Sequence, residues 1–128
     1  MPKYDRERFD PPAPVVTVLV EHPECGARVD GVAMLLDSGA DVTLLPRTVV
    51  DLLGIKPLDE QYLLLSFDDR VSDADAVRAR LIFLKTRFRG TFLVVEGDVG
   101  VLGRNVLNCV RILLDGPAQS WEALQASS

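Results

Sequence analysis

Apolar residues occur along the chain in short runs that are rich in β-branched side chains and separated by turn-forming residues. The first run, Val15 to Val20, is followed by a turn signal at His22 to Gly26 and by a second run from Val29 to Leu36. Asp30-Gly31 interrupts the second run, so this part of the chain predicts two or three strands.

A helical pattern comes next. Pro46 suits a first helical turn, and the apolar residues from Val49 to Leu53, Leu52 included, share one helical side. Gly54 suits the position after a helix end. One short helix is therefore predicted over Pro46 to Leu53.

An alternation with a period of two returns after the helix. It predicts a strand from Tyr62 to Phe67 with a hairpin tip at Asp68-Asp69. Strands from Val77 to Leu84 and from Thr91 to Val95 follow, joined around Arg89-Gly90.

Leu113-Leu114 predicts the last strand of the domain. We expect one domain over residues 15–117, preceded by an extended or flexible proline-rich arm at 1–14 and followed by a tail at 118–128 that Trp121 and Leu124 pack down. Many short strands, frequent turns and little helix indicate a compact all-β domain, closed or barrel-like.

Composition and charge limit the partners. The 128 residues include 14 Lys plus Arg against 19 Asp plus Glu, a formal charge of −5, which opposes binding to a nucleic acid. No apolar run approaches the roughly 20 residues of a membrane helix, and the opening residues 1–10 alternate in charge instead of forming a signal peptide. We therefore expect no membrane partner and a cytoplasmic location.

The charge is unevenly distributed. Residues 78–89 hold five Lys or Arg, whereas residues 51–76 are strongly acidic. We interpret the two segments as one solvated basic face and one solvated acidic face. The acidic residues are Asp51, Asp59, Glu60, Asp68, Asp69, Asp73 and Asp75.

Several common sites are excluded by inspection. His22 is the single histidine, and no Gly-x-Ser-x-Gly sequence accompanies it. Cys25 and Cys109, with one histidine, make neither a disulfide framework nor a zinc site. The glycines at 97–103 are not in the order of a dinucleotide loop, and no Gly-Lys-Ser/Thr occurs. No metal and no cofactor are expected.

One motif remains. In Met34-Leu-Leu-Asp-Ser-Gly-Ala-Asp41 an apolar strand delivers Asp37 into a turn of small residues. A carboxylate after three apolar residues costs free energy unless it is paired, hydrogen-bonded or functional. Further along, Val101-Leu-Gly-Arg-Asn-Val-Leu107 again runs from an apolar pair into glycine and then into a helix-like or strand-like apolar segment.

These two segments, with a short helix and a hairpin between them, resemble the retropepsin-like aspartic proteases, the single-domain family that includes retroviral enzymes and, closest in appearance, bacterial members. The resemblance covers most of the chain. It implies an aspartic endopeptidase of all-β, barrel-like fold that acts on a polypeptide. Because each chain has one such loop, it also implies a two-fold symmetric homodimer in which both copies of Asp37 activate one water molecule.

The resemblance assigns roles to the rest of the active-site loop. Ser38 holds the pair of loops rigid through its hydroxyl, Gly39 allows their close approach, and Ala40 lines the cleft. Asp41 meets substrate backbone, or else only stabilises its turn. An acidic to mildly acidic optimum is expected.

Gly103, Arg104 and Asn105 are implied to be structural neighbours of the site, with Arg104 joining Asp side chains within and between subunits. The flap that covers the substrate corresponds to the predicted hairpin, so Ser66, Phe67, Asp68 and Asp69 are candidate substrate contacts. No glycine occurs between Gly54 and Gly90, whereas retroviral flaps are glycine-rich, and a stiff acidic tip opposes rapid closure.

Three hypotheses follow. The first is an active homodimeric aspartic endopeptidase. The second is a dimeric peptide-binding or scaffolding module of the same fold with weak or no catalysis. The third is an unrelated, monomeric β-barrel in which Asp37 caps a turn.

Overall fold

The structure, a computed structural model, describes residues 2–59, 61–65 and 71–124, with side chains omitted at 63–65, 71 and 72. Its elements are β1 (Val15–Glu21), β2 (Arg28–Leu36), β3 (Leu44–Pro46), α1 (Arg47–Leu53), β4 (Gln61–Leu65), β5 (Val71–Phe83), β6 (Thr86–Val95), β7 (Gly100–Leu102), α2 (Arg104–Leu107), β8 (Ile112–Asp115) and β9 (Ser120–Ala123).

The main sheet closes on itself. Its strands follow the order β1-β2-β7-β3-β6-β5-β4, and an additional pairing of β1 with β5 joins the two sides into a ring that leaves β4 outside. Fully buried apolar side chains fill the interior, among them Met34, Leu45, Leu81 and Leu102. The expected all-β, barrel-like fold is confirmed, and α2 adds a second short helix to the one predicted.

Asp30 and Gly31 do not divide β2 into two strands. Val18 pairs with Val32 and Val20 with Val29, so both residues lie opposite Leu19 in a bulge. Gly31 has a φ of 67°, the left-handed conformation that glycine adopts at low cost in such bulges. The turn-like dipeptide therefore bends a continuous strand.

Helix α1 lies close to its predicted position. Pro46 is the residue that precedes it, and Gly54 follows it with its N–H donated to the carbonyl of Asp51. Val49 and Leu53 are buried, but Leu52 is 74% exposed, so its predicted place on the apolar side was wrong.

The turn between β5 and β6 also differs from its prediction. Phe83 pairs with Thr86, so the connection is Leu84-Lys85, and Arg89-Gly90 lies inside β6. Leu84 and Lys85 have φ values of 51° and 64°, the left-handed pair of a tight hairpin turn. Neither residue is one that this turn favours, which is why the sequence pattern did not reveal it.

A small second sheet lies beyond the barrel. β8 pairs with β9, so the predicted strand at Leu113-Leu114 is not the last one. Trp121 of β9 is buried in the main core, with its ring centroid 6.3 Å from that of Phe83. Leu124 is 45% exposed, so the prediction that it packs the tail down was wrong. The N-terminal segment joins this hairpin, because the Tyr4 N–H donates to the carbonyl of Gln119 at 2.8 Å. Within the described ranges, no helix is long and apolar enough to cross a membrane.

Candidate active site

The strand order brings the two sequence motifs together. β7 runs parallel to β2, with Leu36 beside Leu102, and pairs with β3 where Leu44 meets Val101. Because β2 and β7 are parallel neighbours, the loop that leaves β2 and the segment that leaves β7 emerge at the same end of the sheet. Residues 37–41 and 103–105 are neighbours for this reason.

Asp37 begins the first loop and is half-buried. Its N–H donates to the carbonyl of Leu102 at 3.1 Å, which continues the pairing of β2 with β7. Its own carbonyl accepts from the Ala40 N–H at 3.1 Å, and its carboxylate Oδ1 accepts from the Gly39 N–H at 2.9 Å. The loop thus folds around the carboxylate and fixes its direction.

The rest of the loop is tied to the second segment through its backbone. The Arg104 guanidinium donates to the carbonyl of Ser38 at 2.8 Å, and the Arg104 N–H donates to the carbonyl of Ala40 at 2.8 Å. Ser38, Gly39 and Asp41 are exposed. A Cβ placed on Gly39 would lie 3.1 Å from Asp37 Oδ1, so even alanine would press on the carboxylate.

Gly103 marks the closest approach of the two segments. It is buried, and a Cβ there would overlap the carbonyl of Val42 and lie 2.9 Å from the carbonyl oxygen of Ala40. These neighbours are backbone atoms, which cannot move aside as a flexible side chain can. A side chain at position 103 would therefore push the loops apart.

Thr43 is a site residue that the sequence analysis missed. Its side chain is fully buried, and its hydroxyl accepts from the Gly103 N–H at 3.1 Å and donates to Asn105 Oδ1 at 2.7 Å. The available signal was a lone hydroxyl between apolar neighbours, because a buried polar group requires hydrogen-bond partners. Asn105 is thus placed beside the site by a residue that lies between the first loop and β3.

Comparison with known proteins agrees with this arrangement. A family model described as aspartyl protease matches residues 25–106, which is more than half of the chain and includes both loops. The chain belongs to the aspartyl protease family. No curated protein sequence matches it.

A solved retroviral protease structure has a similar fold. The structure of the EIAV protease with the inhibitor HBY-793 matches with a TM-score of 0.57 and 20% identity, over 76% of this chain and 86% of that one. At this identity the likeness shows a retropepsin-like fold. The family resemblance seen in the sequence is confirmed.

The predicted flap tip lies outside the described residues, and with it the candidates Ser66, Phe67, Asp68 and Asp69. The described part of the hairpin is the pairing of β4 with β5, from Gln61 beside Asp75 to Leu65 beside Val71. In this chain, side-chain contacts hold the base of that hairpin to α1.

Asp75 is the centre of that attachment. Its carboxylate accepts from Gln61 Nε2 at 3.0 Å and from Arg47 Nη2 at 2.9 Å, and Arg47 also contacts Glu96 at 3.2 Å. The hydrogen bonds from Gln61 and then Arg47 lower the pKa of Asp75, and the bond to Asp75 raises the pKa of Arg47. Among the described residues, no group of three or more potential ligands is arranged to hold a metal ion.

Proposed function

We propose that this aspartyl protease is a homodimeric aspartic endopeptidase in which two copies of Asp37 activate one water molecule. The observation that carries the proposal is the fixed carboxylate of Asp37, held by the Gly39 N–H at the point where two loops of the family meet. Each chain supplies one such carboxylate, so a complete pair requires a second copy.

The proposed reaction needs only the two carboxyl groups and water. Two carboxylates about 3 Å apart cannot both stay ionised, so the pair holds one proton. The ionised Asp37 takes a proton from water as the water oxygen attacks the peptide carbonyl carbon, and the other Asp37 donates its proton to the carbonyl oxygen. The product of this step is a tetrahedral gem-diol.

The second step returns the pair to its starting state. A proton passes from the first Asp37 to the leaving nitrogen, a gem-diol hydroxyl gives its proton to the second, and the carbon–nitrogen bond breaks. The products are a carboxylic acid and an amine. Because water is the nucleophile and the carboxyl groups only transfer protons, no covalent bond forms between enzyme and substrate.

The other loop residues support this reaction by position. Ser38 and Asp41 are exposed beside the carboxylate, where a second loop and a substrate backbone would approach. Arg104 holds the carbonyl of Ser38 and thereby fixes the turn that follows Asp37. We infer that Arg104 and Asn105 act as positioning residues rather than on the substrate.

A second observation supports association of two copies. Leu113 and Leu114 of β8 are 44% and 52% exposed, on a hairpin strand whose only described strand partner is β9. A strand edge with no further described partner and an exposed leucine on each face is a surface that natural proteins normally cover. A second copy of the chain that lies against β8 would cover it and bring two active-site loops into one assembly.

The experiment combines cleavage with molecular mass. Purified protein is incubated with a mixed peptide library between pH 3 and 7, and its mass is measured by sedimentation. Asp37→Asn should abolish cleavage while the dimer persists, whereas the control Asp51→Asn, on an exposed part of α1, should leave both unchanged.

The alternative function is a peptide-binding or scaffolding dimer, which the absence of glycine between Gly54 and Gly90 favours. A dimer of the unchanged protein that cleaves no peptide at any pH would support that alternative. A protein that stays monomeric at high concentration would contradict both.

A further inference from the structure

The outer face of the β5–β6 hairpin carries a cluster of arginines. Val77, Ala79 and Leu81 of β5 are buried, so the residues between them point away from the core. The register places Arg80 directly opposite Arg89 and puts Arg87 one step further along the same face. We call this set the arginine cluster; its members are Arg78, Arg80, Arg87 and Arg89.

Ion pairs within the folded chain do not neutralise most of these arginines. Arg80 is paired with buried Glu21 at 3.6 Å and donates to the carbonyl of Pro23. In the described ranges, no ion pair within 4.0 Å involves Arg78, Arg87 or Arg89. Like charges directly across a strand pair are destabilising, and this protein has a net charge of −5. The arginine cluster is therefore a positively charged patch on an acidic protein, and the stability of the fold does not require it.

The same part of β6 has an open backbone edge. On the side away from β5, β3 pairs only with Leu93 to Val95. From Thr86 to Phe92, this side has no strand partner in the described part of the chain. Such an edge offers regularly spaced N–H and C=O groups to another extended chain.

A groove runs along that open edge. It has a volume of about 480 Å³ and lies between β6 and α2. Residues 87–92 of β6 line it on one side, and Asn105 and Val106 of α2 line it on the other. Phe88 is its half-buried apolar residue, and Arg87 and Arg89 are exposed beside it. A chain added beside β6 would turn alternate side chains toward the groove and toward the arginines.

We propose that the open edge of β6 binds an extended acidic segment of a partner polypeptide as an added strand. Carboxylates at positions i and i+2 of that segment would meet Arg87 and Arg89, and the apolar residues at the intervening positions would enter the groove. Charge-assisted hydrogen bonds to guanidinium groups and main-chain pairing supply the affinity, and the alternation supplies the specificity. The site does not use Asp37, so it is independent of the proposed catalysis.

A nucleic acid fits the same surface less well. Phosphates would pair with the arginines, but they would leave the backbone edge of β6 and the groove beside Phe88 unused. The overall acidity of the protein would also oppose a polyanion beyond the arginine cluster.

The test is a binding measurement with the full chain. The probe is the fluorescent peptide Gly-Glu-Val-Glu-Val-Glu-Val-Gly, followed by anisotropy. The double variant Arg87→Gln, Arg89→Gln should weaken binding by at least about tenfold, since two charged hydrogen bonds are lost. The matched control Arg6→Gln, Lys56→Gln removes the same charge from exposed positions elsewhere and should leave affinity unchanged.

Three further probes separate strand addition from simple charge attraction. The peptide Gly-Glu-Glu-Glu-Val-Val-Val-Gly has the same composition without alternation, and an alternating peptide N-methylated at every second residue cannot complete the main-chain pairing. Both should bind markedly more weakly than the first peptide. A single-stranded RNA of similar length should bind more weakly still.

Equal affinity for the alternating and block peptides would overturn the proposal, as would tighter binding of the RNA. A control variant that weakens binding as much as the arginine variant would also overturn it. Because the readout is binding, an inactive enzyme that still binds the alternating peptide would refute the proposed catalysis and leave the β6 site standing.

Discussion

Thr43, which lies between the active-site loop and β3, forms a hydrogen bond of 2.7 Å with Asn105 of α2. The same hydroxyl accepts from the Gly103 N–H, so one buried side chain joins three parts of the site. A hydroxyl that both donates and accepts fixes two neighbours at once. The position of α2 beside Asp37 therefore depends on a residue outside both sequence motifs.

Thr43→Val should expose this dependence. Valine keeps the shape of threonine but leaves the Gly103 N–H and the amide oxygen of Asn105 without their partner, and a lost buried hydrogen bond costs about 1–3 kcal/mol. We expect the free energy of unfolding to fall by that amount and peptide cleavage to fall with it. Chemical denaturation and initial cleavage rates measure the two effects.

The control for this substitution is Thr48→Val, which changes an exposed threonine in α1. It should alter the free energy of unfolding by less than about 0.5 kcal/mol. If both variants are equally stable, the Thr43 hydroxyl has no structural role.

Asp75 predicts a pH dependence of stability. Hydrogen bonds from Gln61 and Arg47 lower its pKa in the folded state below the ordinary 3.8, so the charged form stabilises the fold. That contribution is complete well above pH 3.8 and is lost as the pH falls through the folded-state pKa. The attachment of the β4–β5 hairpin thus persists at the mildly acidic pH expected for catalysis.

The variant Asp75→Asn tests this dependence. The melting temperature of the variant should lie below that of the unchanged protein at pH 7, and the gap should narrow as the pH is lowered below about 4. Arg47→Gln removes one of the two hydrogen-bond donors to Asp75, and its melting-temperature gap to the unchanged protein should narrow in the same way. A gap that stays constant from pH 7 to pH 2.5 would contradict the role given to the Asp75 carboxylate.

The exposed edge of β8 predicts where a substitution would disrupt the proposed dimer. Leu114→Arg places a charge on an apolar surface that a second copy would bury, and an unpaired buried charge opposes association. We expect sedimentation to show a shift from dimer to monomer, with cleavage lost in proportion and more strongly on dilution.

Leu52→Arg is the matched change for this prediction, because Leu52 is 74% exposed on α1, outside the β8–β9 hairpin. It should leave both the mass and the cleavage rate unchanged. A Leu114→Arg protein that remains dimeric would mean that the two copies meet elsewhere.

Local patterns in the sequence predicted most of the fold. The β-branched runs indicated β1 and β2, and the residues around Pro46 and Gly54 marked the ends of α1 to within one position. They did not reveal the hairpin turn at Leu84-Lys85. Its left-handed conformation is imposed by the long pairing of β5 with β6 and not by the residues in the turn.

Residue types that are adjacent along the chain were enough to predict the family motif at Asp37, the companion segment at Gly103 and the all-β class. The folded arrangement was needed to show that Thr43 bonds both Gly103 and Asn105, that Asp75 anchors the β4–β5 hairpin, and that the arginines of β5 and β6 share one face beside an open edge. Strand order and register set the distances between residues far apart in sequence, and no local pattern records those distances.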